Sequence, residues 1–140
     1  GDISQCGSSK NGDEATALLL DGYPGDPAFT AGDNAYPDGT AADFANCYDP
    51  TWGRHKARTH PAAGNHDYHV DGAPAYYNYF GANAGPAGLG YYSFDIGEWH
   101  VVVLNSGGEG GAPSLSASSA QMQWRRADLA ASQKQCQVAI

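Results

Sequence analysis

The sequence predicts an α/β fold built on parallel strands, and three observations carry that expectation. Short apolar runs, Ala28-Phe29-Thr30-Ala31 and Pro61-Ala62-Ala63, each lead into a loop that opens with glycine and a polar residue, Gly32-Asp33 and Gly64-Asn65. From Asp33 to Asn65 is 32 residues, and from Asp2, in the Gly-Asp pair that opens the sequence, to Asp33 is 31. Each interval fits one strand, helix and strand unit of roughly 30 residues. Helix-forming segments occupy the intervals, and a β-hairpin signal follows them.

Asp13 to Leu20 holds good helix formers with acids in the first turn, where they complement the helix dipole, and Asp21-Gly22 stops it. Ala28 to Ala31 is the next strand, which puts Asp33 just past its carboxyl end, where open α/β sheets hold their ligands. After the loop Pro37-Asp38-Gly39, Ala41 to Asn46 reads as a short helix. Pro61 to Ala63 reads as strand from its context, since alanine and proline are poor strand formers. Tyr68 to Gly90 repeats Gly, Pro, Ala and Tyr without a clear period and reads as an irregular segment shaping the mouth of a site. Tyr91 to Ile96 and Trp99 to Asn105 flank Gly97-Glu98, a two-residue connection of the kind that closes hairpins. Ser118-Ser119-Ala120-Gln121 has capping-box spacing and opens a helix to about Gln133, before a last strand at Gln137 to Ile140.

With 140 residues, 41% of them apolar, the chain can form the core of one domain. Seven Lys and Arg against fifteen Asp and Glu give a net charge of −8, so neither nucleic acid nor an anionic membrane is an expected partner. An anionic substrate would need local positive charge, such as a metal. The sequence contains neither an apolar run of about eighteen residues nor a signal-peptide pattern. Three cysteines allow one disulfide and a leftover thiol, and the Gly, Tyr and Asn content with little Lys leans towards an exported protein.

The chemistry is concentrated in Asp2, in Gly32-Asp33-Asn34-Ala35-Tyr36 and in Gly64-Asn65-His66-Asp67. Carboxylate, phenol, carboxamide and imidazole groups at strand ends offer hard oxygen ligands and a titrating base, which suits a metal-activated water attacking phosphorus. Gly-Asp pairs occur at Gly1, Gly12, Gly25 and Gly32, so a pair alone says little and the spacing carries the reading. Asp67 reads in two ways, as a carboxylate orienting His66 or as a cap on the turn. His55, His60, His69 and His100 have surface or packing roles, with His55 on the solvated face of the basic cluster Arg54 to Arg58. Trp52, Trp99 and Trp124 are expected wholly or partly in the core. Asn105 and Ser106, at a strand end, are placed to reach the site.

With these motifs the chain resembles the calcineurin-like metallophosphoesterases, most closely the purple acid phosphatase branch and its bacterial secreted relatives, along nearly its whole length. The first motif of that superfamily usually supplies Asp and His. The purple acid phosphatase type lacks that His and takes a metal-binding Tyr from the second motif; here Ser4 stands at the His position and Tyr36 is present. The resemblance implies that Asp2 and Tyr36 bind a first metal, Asp33 bridges two, Asn65 binds the second, and His66 faces the phosphoryl group. It implies a sandwich of two mixed β-sheets flanked by helices, secretion, and acid phosphatase-like hydrolysis of phosphate esters by water activated at a binuclear centre. The family also uses a later His after a hydrophobic strand and a Gly-His-x-His motif, which these 140 residues do not contain. Residues 1–140 are therefore expected to be the N-terminal part of a single catalytic domain, incomplete at both ends and nearly inactive alone.

A phenol with an ordinary pKa of about 10 binds as phenolate only to a strongly acidic cation, which favours Fe³⁺ at the first position. The neutral Asn65 carbonyl suits a divalent neighbour such as Zn²⁺, Fe²⁺ or Mn²⁺. About −3 from Asp2, Asp33 and Tyr36 against about +5 from the metals leaves a cationic pocket in an acidic protein. Two other readings use the same residues: a phosphodiesterase or nucleotide hydrolase, or a non-catalytic secreted module that binds Ca²⁺ or another ligand.

Overall fold

The computed structural model describes residues 1–7, 12–108 and 110–140. They form a mixed α/β structure of small sheets and several helices. The chain runs through β1 (Ser4–Gln5), α1 (Gly12–Asp21), β2 (Ala28–Ala31), β3 (Ala35–Tyr36), α2 (Ala41–Asp43), β4 (Thr59–Ala62) and α3 (Pro74–Phe80). It continues through β5 (Tyr92–Ile96), β6 (Trp99–Val103), α4 (Ala120–Ala131) and β7 (Cys136–Ala139). Strands β1 and β3 pair in parallel, as do β2 and β4, so the loops after β2 and β4 open at the same end. The third sheet has the order β5-β6-β7, with the hairpin antiparallel and β7 parallel to β6. Gly97 takes a left-handed φ of 55° at the hairpin turn, a conformation glycine adopts without steric cost. No described helix is long and apolar enough to cross a membrane.

The segment expected to be irregular contains helix α3, followed by a 3-10 turn over Gly81–Ala84. Pro74 starts the helix, where a missing N–H costs nothing, and Tyr76 and Phe80, one turn apart, are buried. Phe80 packs edge-on against Phe44 and Tyr48, which lie on a π-helical stretch, Phe44–Tyr48, that continues α2. Aromatic packing, rather than any clear sequence period, holds this element. The hydroxyls of Tyr76 and Tyr92 both donate to the Pro61 carbonyl, at 2.8 and 2.9 Å. Strand β4 is thereby tied to the aromatic core and to the hairpin.

The basic cluster Arg54 to Arg58 is not a solvated face. His55 is buried, with Nε2 3.1 Å from the Ala17 carbonyl, and Arg58 donates to the Leu20 carbonyl at 2.8 Å. The last carbonyls of a helix have no intrahelical partners, and on α1 Arg58 reaches one of them, that of Leu20. Arg54 adds ion pairs to Glu14 and Asp21, each at 3.0 Å. Trp99 is also not core, being 49% exposed at the start of β6, whereas Trp52 is buried and Trp124 half-buried against Tyr91.

Helix α4 begins one residue later than the capping box predicts and ends at Ala131. Ser119 is its cap and accepts from the Met122 N–H. Gln121 is instead fully buried, with Oε1 accepting from the Asn105 N–H and Nε2 donating to the Asn105 carbonyl. That exchange docks α4 on the end of β6. Cys6 and Cys47 form a disulfide across 41 residues, and Cys136 is the free thiol.

Candidate functional site

Three loops meet at the carboxyl ends of β2 and β4. The Ile3 N–H donates to the Asp33 carbonyl at 3.0 Å, which lays residues 1–3 against the loop after β2. A Cβ on Gly32 would come within 2.9 Å of the Gly64 Cα. A Cβ on Gly64 would lie 2.9 Å from the Asp33 Cγ and closer to its Oδ1 and backbone nitrogen. Glycine is therefore required at both positions for the two loops to touch.

Asn34 and Asp67, both fully buried, lock that contact. Asp67 accepts from the Gly64 N–H, the Asn34 Nδ2 and, more distantly, the Asn34 N–H. Asn34 also donates to the Ala62 carbonyl, while its Oδ1 accepts from Thr30 and its carbonyl from Ser4. Burial pushes the Asp67 carboxyl up to about 6, with the Gly64 and Asn34 donors pulling the other way and the nearby Asp33 charge adding to the rise. Of the two roles expected for Asp67, the structure supports the turn cap, extended across to the neighbouring loop. The orienting role falls to Pro37, whose carbonyl lies 2.6 Å from the His66 Nδ1.

On this base sit the five principal residues. The Tyr36 hydroxyl hydrogen-bonds to Asp2 and, at 2.9 Å, to Asp33, so two carboxylates and a phenol converge on one point. Burial first, then the hydrogen bonds to Asp2 and Asp33, raises the Tyr36 pKa well above its ordinary value. Without a cation the phenol keeps its proton. Asp2 and Asp33 both have left-handed backbone, with φ of 58° and 51°. Outside glycine that conformation is uncommon, and it concentrates at functional sites. The other Asp33 oxygen accepts from the His66 N–H at 3.0 Å, and the His66 ring lies 4.3 Å from the Tyr36 ring, centroid to centroid. Asn65, at the start of the 3-10 turn His66–Tyr68, is exposed, and its carboxamide has no hydrogen-bond partner among the described residues.

Asn105 does not join this group; it is buried, donates to the Tyr68 hydroxyl, and braces the turn from behind. Sequence reasoning missed two residues that the structure brings to the rim. His69 lies tilted against His66, ring centroids 4.4 Å apart, and pairs with Asp38 at 2.9 Å. Its signal was a three-residue offset from His66, which a 3-10 turn eclipses.

The donor set suits a hard cation: Asp2, Asp33 and Tyr36 supply oxygens alone. Among the described residues no group of three or more His, Cys, Asp or Glu is placed to hold a metal, so the phenol is integral to any such site. No family model, curated protein or solved structure matches the chain.

Proposed function

We propose that this chain carries the metal-binding loops of a metallophosphoesterase of the purple acid phosphatase type, hydrolysing phosphate esters on a two-sheet sandwich scaffold. The observation that carries the reading is the convergence of Asp2, Asp33 and Tyr36 on one point, held by left-handed backbone at two of the three. Asp2 and Tyr36 would hold a trivalent ion such as Fe³⁺, Asp33 would bridge, and Asn65, its carboxamide uncommitted, would serve a divalent neighbour such as Zn²⁺, Fe²⁺ or Mn²⁺. A binuclear centre supplies an activated water and a polarised phosphoryl group.

The chain's own residues supply the rest. A carbonyl oxygen only accepts, so the His66 Nδ1 carries the hydrogen toward Pro37. Its Nε2 is left for substrate, accepting when the ring is neutral and donating when it is protonated. A protonated Nε2–H stabilises negative charge on a phosphoryl or leaving-group oxygen, and general acid help of this kind is typically worth about 10²–10⁴ in rate. The Asn34 and Asp67 lock keeps Asp33 and His66 at fixed separation.

Titration of the chain with Fe³⁺, followed by visible absorption, tests the reading. A tyrosinate-to-iron transition that Tyr36→Phe abolishes supports it. Iron binding with no such band, or with a band that survives Tyr36→Phe, removes the phenolate from the site. Selective Ca²⁺ binding would then favour the non-catalytic module.

A further inference from the structure

Asp2 and Tyr36 meet at one point although they lie 34 residues apart along the chain. A shorter covalent path joins them through the Cys6–Cys47 disulfide, because Cys6 follows Asp2 by four residues and Cys47 follows Tyr36 by eleven. The two ends of that bond differ. Cys47 is buried on the π-helical stretch Phe44–Tyr48, with Sγ 3.9 Å from the Tyr36 carbonyl, and Phe44 and Tyr48 fix the stretch in the aromatic core. Cys6 is exposed. Among the described residues, few other bonds attach its segment: the two-residue pairing of β1 with β3, the Ile3 N–H to the Asp33 carbonyl at 3.0 Å and the Ser4 hydroxyl to the Asn34 carbonyl at 2.9 Å. A two-stranded pair is marginal by itself. Asp2 holds a left-handed φ of 58°, a costly conformation outside glycine that persists only where the surrounding structure imposes it. A staple of the core would join two buried elements; this bond joins the core to the exposed end of the strand that follows Asp2.

We infer that the Cys6–Cys47 disulfide is a redox gate on this site: oxidised, it seats Asp2 against Tyr36 and Asp33, and reduced, it releases the Asp2 segment, so that the oxygen cluster loses one carboxylate. The inference rests on the cation-binding reading of Asp2, Asp33 and Tyr36. Opening is thiol–disulfide exchange with a small monothiol. A thiolate attacks at Cys6, the exposed end, and Cys47 leaves as thiolate; a second thiolate attacks the mixed disulfide and releases Cys6. Two monothiols thereby become one disulfide, and Cys6 and Cys47 each end as a thiol. Exposed disulfides are the labile, regulatory class. The cluster is thus complete where thiols are oxidised and incomplete where a thiol pool prevails. Affinity for an ion is divided by the fraction of chains in which Asp2 is seated, so seating in about one chain in ten costs tenfold.

The test compares the oxidised chain with Cys6→Ser, which cannot form the bond and needs no thiol in solution. Both are studied in sucrose, which favours compact states, so that global stability does not decide the outcome. Without any ion, the NMR order parameters of Ile3, Ser4 and Gln5 are expected to fall from about 0.85 to below about 0.6 in Cys6→Ser, while the β6 amide signals keep their folded positions. Tb³⁺, a hard trivalent cation that thiols do not reduce, is then titrated and followed by its luminescence. Its affinity should fall roughly tenfold or more in Cys6→Ser. In the unmodified chain, reduced glutathione should produce the same loss and reoxidation should reverse it. Unchanged order at Ile3 to Gln5, or equal Tb³⁺ affinity in the two chains, overturns the gate. Loss of the folded β6 signals in Cys6→Ser also overturns it and makes the disulfide a staple of the whole domain. An oxidised chain that takes up no Tb³⁺ fails the cation-binding reading itself and brings the gate down with it, a result told apart from the others because it appears before any disulfide is opened.

Discussion

Replacing Gly64 by alanine adds one methyl group at the point where the loops after β2 and β4 touch. Gly64 lies outside the left-handed region, so space alone is at issue. The new Cβ would stand 2.9 Å from the Asp33 Cγ and nearer to its Oδ1 and backbone nitrogen, where ordinary contact is 3.4–4 Å. The neighbour is loop backbone locked by Asn34 and Asp67, so the loops must part. Overpacking of this kind costs about 1–3 kcal/mol. Parting them also stretches the 3.0 Å bond from the His66 N–H to Asp33, and a hydrogen bond to a charged group is worth about 1.5–3 kcal/mol. A combined loss of roughly 3 kcal/mol or more is a large share of the 5–15 kcal/mol typical of a domain. Urea unfolding should show it as a midpoint lower by about 1–2 M at an ordinary slope. Gly25→Ala is the control, because nothing lies within 4 Å of a Cβ there, and surface changes usually stay within about 0.5 kcal/mol. If Gly64→Ala unfolds with Gly25→Ala, and the Asp33 and His66 amide signals do not move, the tight loop contact is wrong.

Further outcomes are expected from the same structure. On the proposed phosphohydrolase reading, His66→Ala should leave metal content unchanged by elemental analysis and lose about 10²–10⁴ in turnover, most with poor leaving groups; a lost metal would make His66 a ligand instead. Opening the Cys6–Cys47 disulfide frees a 41-residue loop and should cost roughly 4 kcal/mol on the chain-entropy account, read as the difference between oxidised and reduced unfolding curves. His100 is gripped on both ring nitrogens, by Asp95 at 2.7 Å and Asp128 at 2.8 Å, which raise its pKa. A raised folded-state value contributes stability that is full below about pH 6.5 and is lost as pH rises through the folded pKa. His100→Gln should flatten that alkaline decline in unfolding midpoint, with Glu98 and Lys134 left nearby as the other charges; an unaltered decline would place its origin elsewhere.

The strand-end loops were legible because their signal is local. An apolar run followed by glycine and a polar residue, repeated about every 32 residues, needs only parallel pairing to place Asp33 and Asn65 at one end. The hairpin at Gly97 and the first helix were legible for the same reason. What the sequence hid was set by distant partners. His55 is buried against the Ala17 carbonyl, 38 residues away, and Gln121 against the backbone of Asn105. Helix α3 carries weak propensity, and its stability comes from Phe44 and Tyr48, three tens of residues upstream in the chain. At the site, the residue types were readable, but the role of Asn34 was not, and that of Asp67 stayed open between two readings. Only the fold shows that the carboxylate beside His66 turns inward to a second loop.

The saturation of Asn34 has a thermodynamic consequence. Both its amide hydrogens, its side-chain oxygen, its backbone N–H and its carbonyl have partners on β2, β4, the following turn and β1. The loop that carries Asp33 is thus held in place by protein alone, with no ion needed to order it. A cation entering such a cradle does not have to spend its binding energy on ordering loops. Affinity should accordingly depend on the charge and hardness of the ion more than on chain flexibility. By the same logic, if Asp2, Asp33 and Tyr36 hold an ion as proposed, a substitution as remote as Ser4→Ala would weaken its binding through lost rigidity while leaving those three side chains untouched.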